Sequence, residues 1–328
     1  MNKLRDAVGE APAVTIGIPV YNGERYLEEA IRSVLSQTRE DLELVISDNA
    51  STDGTAEICS DYARKDPRVR CLRNPSNLGA APNYNIVFEQ ARGRFFKWLA
   101  HDDRMTPTYV AKTTRVLETR PDAVLCNSVV AYIDGQGNPI GLYDSQLGKA
   151  DALTPSLRLA AMVLRSHSCI DFFGMFRKSA LQGSLLHGSF HGADRALLAQ
   201  MALRGRMIQI PAPLVQMREH ESRYTRKQGR ASDRASWHDT RVRHRIHFPT
   251  WRLYREYLQM VYTARLEPGE RLRCYAVLAR WWALNWNAAR AVVDLVALVA
   301  PGAPSVAERV KTRLFGAAPG HLASARRR

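Results

Sequence analysis

The chain has 328 residues, 45% of them hydrophobic, and its 47 Lys and Arg outnumber 32 Asp and Glu to give a net charge of +15. That length allows one large core with an appendage. The five cysteines, Cys59, Cys71, Cys126, Cys169 and Cys274, are scattered without CxxC spacing, so neither a zinc site nor a disulfide framework is indicated, and no repeat or low-complexity block is present.

The first ordered stretch reads as β-α-β. Val14 to Val20 and 42–47 are short apolar, β-branched runs, the first closed by a turn sequence and the second by Asp48 and Asn49. Between them Leu27, Ala30, Ile31, Val34 and Leu35 recur at the spacing of one buried helical face. In a parallel sheet of such units, side chains just past the strands' carboxyl ends converge on a ligand crevice. Tyr21, Asn22, Asp48 and Asp53 belong there. A third strand at 69–72 leads through Asn77-Leu78-Gly79 to Asn83 and a helical segment ending near Ala91.

The run 95–100, FFKWLA, is read as a fourth strand entering His101-Asp102-Asp103 directly. Adjacent carboxylates in a cleft repel each other, and burying them unpaired is costly. A divalent cation relieves this, since Mg²⁺ or Mn²⁺ takes one or two protein carboxylates and completes its shell with water and phosphate oxygens. The competing reading is that the pair caps the next helix. Thr106-Pro107 already supplies a cap residue and a first-turn proline, so the acids are not needed for that.

The motifs IPVYNGERYLEEAIRSVLSQT, SDNASTDGT, the NLG turn and HDD, in this order and at these spacings, resemble the family 2 glycosyltransferases of GT-A fold over about 13–224. The resemblance implies an α/β fold, a mostly parallel nucleotide-binding sheet flanked by helices. It implies that Pro19, Tyr21, Asp48 and the turn of Asn77 and Gly79 form a nucleotide pocket, with Asp48 facing the base. It further makes Asp102 and Asp103 the DxD-type element, with Asp103 binding Mn²⁺ or Mg²⁺ directly. The expected activity is inverting transfer from a nucleotide-diphosphate sugar to a hydroxyl of a cell-surface glycan or lipid-linked acceptor.

The acceptor side is expected within residues 121–216. A strand at 123–130 precedes a hairpin turn at Asp134-Gly135-Gln136-Gly137-Asn138, a helix follows at 155–164, and 170–177 is read as a strand whose aromatics are core. His191-Gly192-Ala193-Asp194-Arg195 opens an apolar-periodic helix. In the family an Asp at this position is the catalytic base, which removes the acceptor hydroxyl proton and is worth about 10²- to 10⁴-fold. Capping and the helix dipole also favour an Asp there without catalysis. The family often has Glu-Asp, whereas this chain has Ala193-Asp194. Arg218-Glu219-His220 resembles a later element whose His approaches metal or diphosphate; His220 is thus a third metal ligand or a solvated loop histidine. Arg223, Arg226 and Lys227 are expected as a basic lid over the phosphates.

Basicity is concentrated at the end. Residues 1–216 hold 25 Lys and Arg against 23 acids, and 217–328 hold 22 against 9. Such asymmetry points to a polyanion or an anionic membrane surface. Helices are expected around Trp251, Leu253, Tyr254 and Leu258 and, as a pair, over 275–300. Asp294 interrupts the apolar run 291–300, which is too short to cross a bilayer of about 30 Å. Trp281, Trp282 and Trp286 beside arginines either lie at a membrane interface or pack on the catalytic part. The expected organisation is a tail 1–10, a glycosyltransferase domain 11–228 and a basic helical extension 229–328, joined by a mobile junction at 226–235. Absence of an apolar leader implies a cytoplasmic protein, peripheral at most at the inner face of the plasma membrane. Sugar-phosphate nucleotidyl transfer is the alternative enzyme class, but it needs a glycine-rich basic loop where this chain has Tyr21-Asn22-Gly23-Glu24. Nucleic acid is not expected as a partner, because the basic residues carry no reading motif or stacking set.

Overall fold

Strand β1 (Val14–Val20) is buried at every position, as is β2 (Leu42–Asp48). They pair in parallel, with Val20 opposite Asp48, and helix α1 (Leu27–Leu35) crosses between them with Leu27, Ala30, Ile31 and Val34 buried. The computed structural model describes residues 11–145, 148–165, 167–221, 238, 240, 248–284, 286–300, 303 and 306. The N-terminal tail, the basic lid at Arg223, Arg226 and Lys227, and the junction 226–235 lie outside them.

A helix not expected from the sequence, α2 (Thr55–Lys65), follows β2. Its signals are modest: Glu57 in the first turn, Arg64 and Lys65 in the last, and Ile58, Cys59, Tyr62 and Ala63 turned to the core. Strand β3 (Val69–Arg73) pairs in parallel with β2, α3 (Ala80–Glu89) returns over the sheet, and β4 (Phe95–Trp98) pairs in parallel with β1. The chain then turns through the Asp pair into the short β5 (Arg104–Met105).

Helix α4 (Tyr109–Thr119) begins two residues beyond the expected Pro107. Gln37 Nε2 donates to the Thr106 carbonyl at 2.8 Å and Thr38 N to the Pro107 carbonyl at 2.9 Å, so these two carbonyls are drawn out of the helical ladder. Strand β6 (Ala123–Ile133) and β7 (Pro139–Tyr143) form the expected hairpin, and α5 (Pro155–Val163) follows. The expected strand at 170–177 is only half realised. Cys169 takes φ 57°, a 3-10 turn occupies Ile170–Phe173, and only Met175–Arg177 is strand, β8. The turn lets Phe172 lie flat on Trp98, at 4.7 Å between centroids and 11° between planes, so tertiary stacking overrides the extended preference of IDFF. The short α6 (Lys178–Leu181), α7 (Ala193–Arg204) and β9 (Arg206–Arg218) complete this part.

The sheet order is β3-β2-β1-β4-β8-β6-β9-β5, with β7 on β6. Strand β8 is antiparallel to both β4 and β6, whereas β6 and β9 are parallel over their length with register shifts near Ser128–Val130. Because β5 pairs with the end of β9, the Asp turn passes from the centre of the sheet to its far edge within a few residues. Three further helices follow: α8 (Pro249–Thr263), α9 (Pro268–Ala283) and α10 (Asn287–Val296). Tyr257, Met260, Val261, Cys274, Leu278 and Trp281 share one apolar cluster with α5, α7 and Trp98, so α8 and α9 bury their inner faces on the same core as the sheet. No helix among the described residues is long and apolar enough to cross a membrane.

Candidate active site

The carboxyl ends of β1, β2 and β3 line up, since Val20 faces Asp48 and Asp48 faces Arg73. Asp48 is buried. Its Oδ1 accepts the Ser51 N–H at 2.9 Å, and its Oδ2 lies 3.2 Å from Arg73 Nη1 without hydrogen-bond alignment to it. Around it the chain builds an asparagine lattice. Asn49 Nδ2 donates to Asn77 Oδ1 at 2.9 Å and to the Gly79 carbonyl at 3.1 Å, while Asn49 Oδ1 accepts from Asn74 Nδ2 and from Leu78 N, both at 3.0 Å. Asn83 closes the lattice onto Ser47. Gly79, the N-cap of α3, has φ 91°, which only glycine adopts at little cost. The lattice therefore holds the Asn77 turn against the β2 end.

Asn22 and Asp53 serve the neighbouring loops. Asn22, at φ 51°, accepts the Thr52 N–H at 2.9 Å and donates its own N–H to Ser51 Oγ at 2.9 Å. Asp53 binds Thr55 through Oδ1 and the Glu24 N–H through Oδ2 at 3.1 Å. Burial pushes its pKa up, but the Thr55 hydroxyl and these N–H groups outweigh that and hold it below the usual carboxylate value. Pro19 is buried within β1, and Tyr21, 44% exposed, stands at the rim. Gly23 lies so close to His101 that an added Cβ would stand 2.7 Å from the imidazole, which brings the β1 loop against the acidic turn.

At that turn Asp103 is 3% exposed and its Oδ1 accepts the Arg218 N–H at 2.9 Å. Asp102 Oδ2 is 2.9 Å from His220 Nε2. The structure thus brings Asp102, Asp103 and His220 together, although the first two stand more than a hundred residues from the third in the chain. Arg218 is 1% exposed and works as a clamp. It donates to the carbonyls of Asp102, Asp134 and Gly135, pairs with Glu29, and lays its guanidinium 4.5 Å from the Tyr26 ring centroid. Tyr26 in turn packs on His220, with centroids 5.1 Å apart.

The donor set suits a hard cation. At 2.9 Å, Asp102 Oδ2 and His220 Nε2 stand at hydrogen-bond distance, and a cation held by both would replace that bond. Among the described residues no group of three His, Cys, Asp or Glu is placed so as to hold a metal ion.

Asp194 belongs to a separate group at the start of α7, behind Gly192 at φ 89°. Its Oδ1 accepts the Arg195 N–H at 2.8 Å. Arg195 anchors this end of the helix by donating to the carbonyls of Met162, Arg165 and His167. Around Asp194 stand His167, His187 and His238. Burial, and then Arg195, pushes His167 down to about 4; burial, and then His187 and His191, pushes His238 down to about 3; burial also lowers His187. These imidazoles are neutral near pH 7. Sequence reading missed this histidine group, the Asn49 lattice and the Arg218 clamp, because each is assembled by strand pairing rather than by spacing.

The model of a family described as "Glycosyl transferase family 2" matches residues 15–184. An "Uncharacterized glycosyltransferase" of Haemophilus influenzae is 34% identical over 143 residues, covering 44% of this chain and 56% of the relative. The match therefore spans only about half of that relative's length. Among solved structures, S. aureus TarS 1-349 in complex with UDP-GlcNAc aligns with a TM-score of 0.61 at 16% identity, over 82% of this chain and 72% of that one. The mannosyltransferase PcManGT from Pyrobaculum calidifontis, in complex with GDP-Man and Mn²⁺, aligns with a TM-score of 0.53 at 18% identity, over 97% of this chain and 86% of that one.

Proposed function

This chain belongs to glycosyltransferase family 2 and has the GT-A type of fold, and we propose that it moves a sugar from a nucleoside-diphosphate sugar to an acceptor hydroxyl by metal-assisted single displacement with inversion. The observation that carries this reading is the meeting of Asp102, Asp103 and His220 at the sheet end where Asp48 and the Asn49-held Asn77 turn also stand. The ligands of the two structural neighbours, a nucleotide sugar in each and Mn²⁺ in one, support it.

In this mechanism Asp48 receives an N–H of the nucleotide base through Oδ2, with Pro19, Tyr21, Asn77 and Gly79 forming the walls. Asn22 and Asp53 position the two loops that frame the pocket. Asp102, Asp103 and His220 are the residues that would hold Mn²⁺ or Mg²⁺, and the cation would offset charge developing on the departing diphosphate. Asp194 takes the proton of the attacking hydroxyl.

The domain division at residue 228 and a peripheral position on an anionic membrane, at the inner face of the plasma membrane, are part of the same proposal. Exposed Val292, Leu295 and Val296 on α10, continued by Leu298 and Val299 just beyond it, form the apolar face that would meet lipid, and the exposed Arg290 stands on the same helix.

The test is a panel of nucleoside-diphosphate sugars in a thermal-shift assay, with Mn²⁺ and with chelator, followed by donor hydrolysis by the best binder. One donor should raise Tm only with metal, and Asp103→Ala should lower metal-dependent hydrolysis by about 10²-fold or more while the protein stays folded. Hydrolysis equal to wild type would remove the cation from the mechanism.

A further inference from the structure

Away from the nucleotide crevice, a cavity of about 280 Å³ opens between β6, β9 and the chain leaving β7. Asn127, Asp144, Asp171 and Gln209 line it, over a floor of Leu125 and Met207. Asp171 is 4% exposed. Its Oδ1 accepts from Asn127 Nδ2, the Ser145 hydroxyl on the same wall stands against the carboxyl group, and its buried Oδ2 has no well-aligned donor. Gln209 Nε2 is likewise buried without an acceptor. Folded proteins satisfy nearly all such groups, so an acceptor and a donor left open on one cavity call for a ligand that answers both.

The lining selects the ligand's chemistry. The acids at Asp144 and Asp171 disfavour an anion, and no aromatic side chain among the described residues lines the cavity to stack a base. Acid, amide and a small apolar floor match the hydroxyls and C–H face of a sugar ring. The volume, at the low end of small-molecule sites, takes one ring. The segment 167–171 ties the cavity to the proposed base: Arg195, next to Asp194, donates to the His167 carbonyl at 2.8 Å, and the chain runs from there through Cys169 to Asp171.

We propose that this cavity is a subsite for one sugar unit of the acceptor, so that the acceptor is a glycan. The proposal rests on the glycosyltransferase reading above. It is tested on the full chain with the methyl glycosides of glucose, galactose, mannose and N-acetylglucosamine, by saturation-transfer NMR and calorimetry. At least one should bind. Asp171→Asn should weaken it about tenfold or more, and Gln209→Phe, which fills the cavity from the other wall, should abolish it. Binding of the nucleoside diphosphate with Mn²⁺ should be the same in all three proteins. No glycoside binding, or binding that both variants leave unchanged while nucleotide still binds, overturns this inference alone. Failure of wild type to bind any nucleoside diphosphate or its sugars overturns the glycosyltransferase reading instead.

Discussion

The backbone N–H of Arg218 donates to Asp103 Oδ1 across 2.9 Å, and Arg218 Nε donates to the Asp102 carbonyl at 3.0 Å. The last residue of β9 therefore fixes the acidic turn after β4, and does so with a side chain almost wholly removed from water. Buried polar contacts of this kind make a ligand site stiff as well as charged.

Arg218→Met keeps the N–H bond to Asp103 but strips the carbonyls of Asp102, Asp134 and Gly135 of their donor. We expect a loss of about 2–3 kcal/mol in urea unfolding and weaker Mn²⁺ binding in a titration. Arg218→Lys should restore little, because one ammonium cannot reproduce a planar fork. Wild-type stability and metal affinity in Arg218→Met would show the clamp to be idle.

Asp194→Asn should leave donor affinity intact and lower transfer by about 10²- to 10⁴-fold, because a base acts after the donor is bound. Calorimetry for the nucleotide sugar and turnover with acceptor separate the two effects. Altered donor affinity with normal turnover would assign Asp194 to capping alone.

Lys97 is fully buried on β4, lies 4.7 Å from the Tyr109 ring centroid and donates to the Phe173 carbonyl. Burial pushes its pKa down from 10.5 to about 7, against the pull of Asp103. The unfolded chain therefore binds more protons than the folded one between those values, and this residue's contribution to stability rises with pH across that window and is lost as pH falls through about 7. Subtracting the unfolding free energy of Lys97→Met from that of wild type, pH by pH, should reveal this rise. A flat difference would mean that the lysine is not held by its burial.

Leu295→Glu combined with Val299→Glu should reduce cosedimentation with phosphatidylglycerol vesicles several-fold and leave donor hydrolysis unchanged, since both side chains are exposed on or just beyond α10. Equal cosedimentation would confine the C-terminal helices to packing, a role Trp281 already has, as it is 3% exposed and stacked on Tyr254.

Much of the architecture is legible in the chain. The β-branched runs of β1 and β2, the three-and-four spacing of α1 and α7, and the hairpin at Asp134–Asn138 are local signals, and each corresponds to an element of the structure. Helix α2 was obscured because its cap and apolar positions are weak, and IDFF before β8 is a 3-10 turn because Phe172 is claimed by Trp98. The Asp pair, the NLG turn, Asp194 and, as one of two readings, His220 could be singled out as candidate residues, but the Arg218 clamp, the Asn49 lattice and the histidines near Asp194 could not.

By itself, the sequence determined the order of helices and strands and the identity of the acidic turn, because both depend on side-chain periodicity and on neighbours a few residues apart. Only the tertiary structure decided that Arg218 and His220 close on Asp102 and Asp103, that Asn49 holds the Asn77 turn, and that Asp171 and Gln209 share one cavity. Those contacts join segments tens to more than a hundred residues apart through the register of a curled sheet, and register is set by the packing of the whole core rather than by any local pattern.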